Sequence, residues 1–209
     1  MLYFYERTHL EEWVETIYKR SGIRTPSDLT VETISARLGI GVTFEPDVVD
    51  EVIFDEEYAH IFINSLYSPQ RRWEVFCHEL CHPLRHLGNQ LMLADEFRKL
   101  QEMDAHAFQF YAAIPFFMLQ EMELPDHEKE IIDLLAREFG VTHGFAKCRW
   151  EQIHRRIVRG RLHQKLVRNL YSPSKKAAPR SLREQHAFYL SACGNSQAAA
   201  PSLFVTSCS

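Results

Sequence analysis

Long apolar runs are missing from this 209-residue chain: none approaches the roughly 20 residues that a membrane-spanning helix needs, so no membrane contact is expected. The start, MLYFYERTHLEEW, carries acids and lacks a basic leader segment, so it does not read as a signal peptide and a cytoplasmic setting is expected. Cysteine is sparse. The five thiols are odd in number and form no spaced framework, which excludes a disulfide scaffold and favours reduced thiols. Acids are absent from Arg155 to Arg183, where ten Lys and Arg stand; the preceding 154 residues carry 14 basic and 27 acidic residues, a net of −13. An acidic body with a basic extension is the pattern of a solvated tail, and in some proteins of one that meets nucleic acid.

What is present suits one soluble core with an appendage: the chain is 45% hydrophobic and 25% charged. THLEEWVETIYKRSG predicts a first helix, with Thr8 as N-cap, Glu11 completing a capping box and Gly22 after its end. LTVETISARLGIG predicts a second, ended by Gly39. The period then shortens. GVTFEPDVV, EVIFDEE and AHIFINS predict three short strands in a small antiparallel meander. SPQRRWEVFCHELCHPLRHLG predicts a helix capped by Ser68, opened by Pro69 and closed by Gly88, with Pro83 awkward near its end. A polar linker, a long helix ended by Pro115, a short helix and a final helical pair follow. The expected divisions are 1–24 (N-terminal helix), 25–125 (core), 126–159 (helical hairpin) and 160–209 (basic, then polar tail without sustained period).

The chemistry concentrates in RRWEVFCHELCHPLRH. His78 and His82 are four residues apart, so one helix face presents both imidazoles. Zinc takes ligands about 2 Å away in a tetrahedron, and this spacing lets one rigid element supply two of them. Glu79 completes an H-E-x-x-H pattern, beside the metal and placed to take a proton from a water that zinc acidifies. The competing reading is a core helix with satisfied polar histidines. A third histidine six residues after His82 would make a metzincin, but that position is Gly88. Cys77 and Cys81 are offset around the helix and read as small buried hydrophobes, and His86 reads as a bystander. A third ligand must come from elsewhere, and LQEMDAHAFQFYAAIP offers Glu102, Asp104 and His106, with Ala105 small enough for two helices to approach closely.

Taken together, HIFINS, HELCH at 78–82 and EMDAHAFQFYAAIP at 102–115, in that order, resemble the ImmA/IrrE family of metallopeptidases, as do DLTVETISARLGIGVTF and LAREFGVT. The resemblance spans roughly residues 25 to 157. It implies an α+β fold: a small three-stranded antiparallel sheet packed against a zincin-type helical core, with a C-terminal helical hairpin. It also implies a Zn²⁺-dependent endopeptidase. His78, His82 and Glu102 would be the metal ligands, Glu79 the general base and Asp104 the alternative ligand. His106 replaces the family's Asn or Asp and would be second-shell support. The substrate implied is a helix-turn-helix repressor, cleaved to relieve repression of mobile-element or stress-response genes. Strand EYAHIFINS is expected to offer an edge to extended substrate.

A different class competes. IIDLLAREFGVTHGFAKCRWEQI, residues 131–153, has the look of a helix-turn-helix, with Gly140 at the turn and Thr142 opening the second helix. Lys147, Arg149, Arg155 and Arg156 would then contact phosphates, and the protein would be a DNA-binding or regulatory module with a non-catalytic metal site. The bland counterpart is an αα-hairpin with Leu134, Leu135, Phe139, Phe145 and Trp150 inside.

Overall fold

The computed structural model describes residues 2–86 and 94–171. Gly88, most of the linker after it and everything beyond Tyr171, Cys193 and Cys208 included, lie outside the described residues. The chain divides into two compact units, Met1–Gln164 and Lys165–Ser209.

Helix starts and stops follow local chemistry. α1 (His9–Arg20) opens on a reciprocal capping box: the Glu11 amide donates to Thr8 Oγ1 and the Thr8 amide to Glu11 Oε2, both at 3.2 Å. α2 (Val31–Leu38) is capped by Thr30 and ends at Gly39, whose φ of 72° is left-handed and suits a residue without Cβ. α3 (Pro69–Glu79) starts on Ser68, whose hydroxyl accepts from the Arg71 amide at 3.2 Å.

The three strands are β1 (Gly41–Glu45), β2 (Glu51–Phe54) and β3 (Ala59–Asn64). The sheet is mixed, a correction to the antiparallel meander expected from sequence. Its order is β1-β3-β2: β1 runs parallel to β3 from Gly41↔His60 to Glu45↔Asn64, and β2 pairs antiparallel from Glu51↔Phe62 to Phe54↔Ala59. β3 takes the centre, covered on both edges, and its Ile61 and Ile63 side chains are wholly buried. β3 therefore offers no free edge; β1 and β2 do.

α3 lies on β3 and against α5 (Asp95–Ala113). Ala105, fully buried, permits the close crossing of α3 and α5, and Phe76, Leu80, Phe108 and Ala112 fill the space around it. α4 (Cys81–Arg85) continues α3 after a single intervening residue. Leu80 keeps helical angles, φ −59° and ψ −28°, so the chain holds its course while Pro83, having no amide hydrogen, leaves the Glu79 carbonyl without its i+4 donor. α6 (Phe116–Leu119) follows Pro115, and α7 (Glu128–Glu138) and α8 (His143–Tyr171) form the hairpin. Leu135, Phe139, Phe145 and Trp150 are buried and Leu134 half-buried. α8 continues past residue 159, where the tail was expected to begin, and residues 161–170 are exposed on every side of it.

Candidate metal and catalytic site

α3, α4 and α5 converge on one cluster. Seen from the end of α3, His78 and His82 project together, across the gap at Leu80, toward Glu102 in the middle of α5. His78 Nε2 lies 3.2 Å from Glu102 Oε2 and His82 Nε2 lies 3.7 Å from Glu102 Oε1. Ligands about 2 Å from a tetrahedral ion stand roughly 3.3 Å from one another. Two imidazoles and a carboxylate at these separations fit a zinc ion in both donor chemistry and spacing. His82 is deeply buried, with 3% of its side chain exposed, while Glu102 at 48% faces the opening.

Electrostatics separate the roles. Burial lowers His78, against the opposing pull of Glu102, and drives His82 down to about 4, so both rings are neutral and carry a lone pair for a metal. Glu79 is buried beside them without belonging to the three-ligand group. Burial above all, then the like charges of Glu102, Asp50 and Glu51, push its carboxyl up to about 7.

The other candidates on α5 lie elsewhere. Asp104 turns from the three-residue cluster to Arg85, whose Nε donates to its Oδ2 at 2.6 Å, and to His86, whose Nε2 is 3.4 Å away. His106 pairs through Nδ1 with Gln109 Nε2 at 2.6 Å and lines, with His78, Glu102 and Phe110, an open cavity of about 530 Å³. His86 carries a contact that its sequence position did not reveal. Its Nδ1 lies 3.0 Å from His82 Nδ1, joining His82 through His86 to Asp104. The signal was available: His82 and His86 repeat the same four-residue spacing as His78 and His82.

The basic face proposed for DNA is largely internal. Arg149 is wholly buried; its Nη2 donates to Glu11 Oε1 at 2.6 Å and its Nε to the Ile114 carbonyl at 3.3 Å. Arg156 pairs with Glu11 Oε2 and donates to the Tyr5 hydroxyl at 2.8 Å. Of the four cations, Lys147 and Arg155 alone are left exposed. At Gly160 of α8, an added Cβ would collide with the Phe4 carbonyl oxygen, so this helix meets the N-terminal segment at backbone distance.

Residues 35–151 match the model of a peptidase family described as the IrrE N-terminal-like domain. The phage-like element PBSX protein XkdA of Bacillus subtilis (strain 168) is 37% identical over 179 residues, covering 86% of this chain and 89% of its own. The uncharacterized protein YqaB of the same strain is 29% identical over 169 residues, 81% of this chain and 98% of its own. Among solved structures, a Mycobacterium tuberculosis transcriptional regulator aligns with a TM-score of 0.44 at 21% identity, over 66% of this chain and 46% of that one.

Proposed function

Since the chain belongs to this IrrE N-terminal-like peptidase family, we propose that it is a zinc-dependent endopeptidase with His78, His82 and Glu102 as the metal ligands and Glu79 as the general base. The observation that carries the reading is the convergence of two imidazoles and one carboxylate with a second, buried carboxyl group, that of Glu79, beside them. A bound zinc ion supplies an acidified water and polarises the scissile carbonyl. Glu79, held by the last turn of α3, takes the proton of the attacking water and delivers it to the leaving amine. His86 orients His82: a ring that ligates through Nε2 donates its Nδ1 proton, and His86 Nδ1 is there to accept it.

Extended substrate is best placed along β2. This strand is an edge of the sheet, and it contacts α4, which carries His82. Asp104 belongs to the support of His82 and not to the ligand set, and His106 to the wall of the cleft. The substrate we favour is a helix-turn-helix repressor, in keeping with the family resemblance and with a relative that belongs to a phage-like element.

Two measurements bear on the metal. Equilibrium dialysis of the full chain should return one zinc per chain, and His78→Ala should lose it; a metal content near zero in both removes the assignment. His86→Ala should weaken zinc binding about 10–100-fold in competition with a chelator, and unchanged affinity would mean that His86 does not hold His82 in place. For the substrate, the purified protein should cut the repressor encoded nearest its own gene. Cleavage of an unfolded protein but never of that repressor would leave a peptidase with a different target.

A further inference from the structure

α5 is apolar on two faces. Ala105, Phe108 and Ala112 pack into the core. Met103, Ala107 and Phe110, at i, i+4 and i+7, share a different face, where Met103 is 69% exposed. A helix beside one core needs one apolar face. The second lines the open cavity of about 530 Å³ that also holds His78 and Glu102. Pockets for small ligands run from roughly 300 to 1,000 Å³, so this space takes a bulky side chain together with part of its backbone.

The polar groups around the cavity are engaged elsewhere. Gln152, on its α8 side, accepts from Arg149 Nη1 through Oε1 and donates through Nε2 to the Tyr111 hydroxyl at 3.4 Å. His106 Nδ1 accepts from Gln109 Nε2 at 2.6 Å. His78 and Glu102 face each other across 3.2 Å. A hydroxyl, amide or charge entering here would give up hydrogen bonds to water that these groups do not replace, whereas an apolar side chain gains by leaving water. The aromatic part of the wall is braced from α8: the Phe110 ring lies 4.5 Å from that of Phe145 and 5.6 Å from the His106 imidazole.

We propose that Met103, Ala107 and Phe110 form a subsite for a bulky apolar side chain, such as leucine or phenylalanine, on the substrate residue next to the scissile bond. The inference rests on the catalytic-site reading above and adds the class of residue that the site selects. Adjacency sets the register. Two of the three proposed ligands line the same cavity, and Met103 follows Glu102 directly in the chain. A side chain seated on this face of α5 therefore leaves its own peptide bond beside the proposed metal. β2 guides the substrate backbone, and α5 reads one side chain. Ala107 sets the size limit, because it is the smallest of the wall residues and stands between Met103 and Phe110.

Capped amino-acid hydroxamates test the subsite apart from catalysis. The glycine, leucine, phenylalanine, serine and aspartate compounds differ only in the side chain, and each chelates zinc through the hydroxamate. They are titrated calorimetrically into the zinc-loaded full chain. The leucine and phenylalanine compounds should bind about 10–100-fold more tightly than the serine and aspartate ones. Ala107→Phe should bring their affinity down to that of the glycine compound, with zinc content unchanged. Met103→Ser, a change at an exposed position that the fold tolerates, should weaken the same two compounds several-fold. Equal affinity across the series, binding of none of its members, or a leucine preference that both variants retain overturns the subsite and leaves the metal ligands standing. A chain that binds no zinc, or that keeps its zinc after His78→Ala, overturns the catalytic-site reading, and the subsite with it.

Discussion

Glu79→Gln should lower kcat/KM by about 10²–10⁴-fold while leaving zinc content unchanged. Glutamine matches glutamate in shape but cannot accept the water's proton. The three ligand atoms that converge on one point do not include Glu79, so the metal should stay. The same substitution separates chemistry from folding. Glu79 is a buried carboxylate pushed up to about 7 by desolvation and by Glu102, Asp50 and Glu51. Removing its charge relieves that repulsion, so the melting temperature should hold or rise. Cleavage of a protein substrate at the wild-type rate by Glu79→Gln would end the general-base assignment. A loss of zinc together with activity would move Glu79 into the ligand set.

The largest expected loss of stability comes from Arg149→Met. Arg149 is wholly buried against Glu11, whose side chain is 3% exposed. Removing one member of a buried pair leaves the other charge uncompensated, at a cost of about 3–5 kcal/mol. Arg156 also reaches Glu11, which places the expectation near the lower figure, or a fall of roughly 6–12 °C in Tm for a chain of this size. The double variant Arg149→Met, Glu11→Leu should recover much of the loss, because an apolar pair can replace a buried ionic one. A single variant within about 1 kcal/mol of wild type would show that Arg156 alone satisfies Glu11.

The pH dependence has a definite sign. Burial raises Glu11, but Arg149, the Tyr5 hydroxyl and Arg156 outweigh it and hold the carboxyl below its ordinary value. A folded-state pKa below the unfolded one, about 4.3 for glutamate, gives a contribution complete above that value and lost as pH falls through the depressed one. Acid unfolding of the wild type should therefore be steeper than that of Glu11→Gln.

The helix ends were legible because their causes are local. Thr8 with Glu11, Thr30 with Gly39 and Ser68 with Pro69 each act within one turn. The pairing of His78 with His82 was legible for the same reason. Strand order was not, because β1, β2 and β3 have similar composition and only the burial of Ile61 and Ile63 on both-edge-covered β3 decides which is central. Glu102 and Asp104 are two residues apart and so point to opposite sides of α5. Which of them meets the histidines depends on the roll of α5 over α3, set by Ala105, Phe108 and Ala112. Asp104 turned to Arg85 and His86, and His86, read as a bystander, turned to His82. Least legible was Arg149. An arginine in a basic run reads as surface, and only a carboxylate 138 positions earlier in the chain makes its burial tolerable.

That separation also orders the protein's biosynthesis. Glu11 leaves the ribosome long before Arg149 and Arg156 are made, and loop closure over such a distance is slow relative to local helix formation. A product cut short after α5 would contain His78, Glu79, His82 and Glu102 yet neither arginine, so α1 would dock with a bare carboxylate in its buried face. Incomplete chains thus carry the proposed zinc ligands and general base without the scaffold to hold them in register, and on the reading proposed above any cleavage should wait until Arg149 and Arg156 have been made.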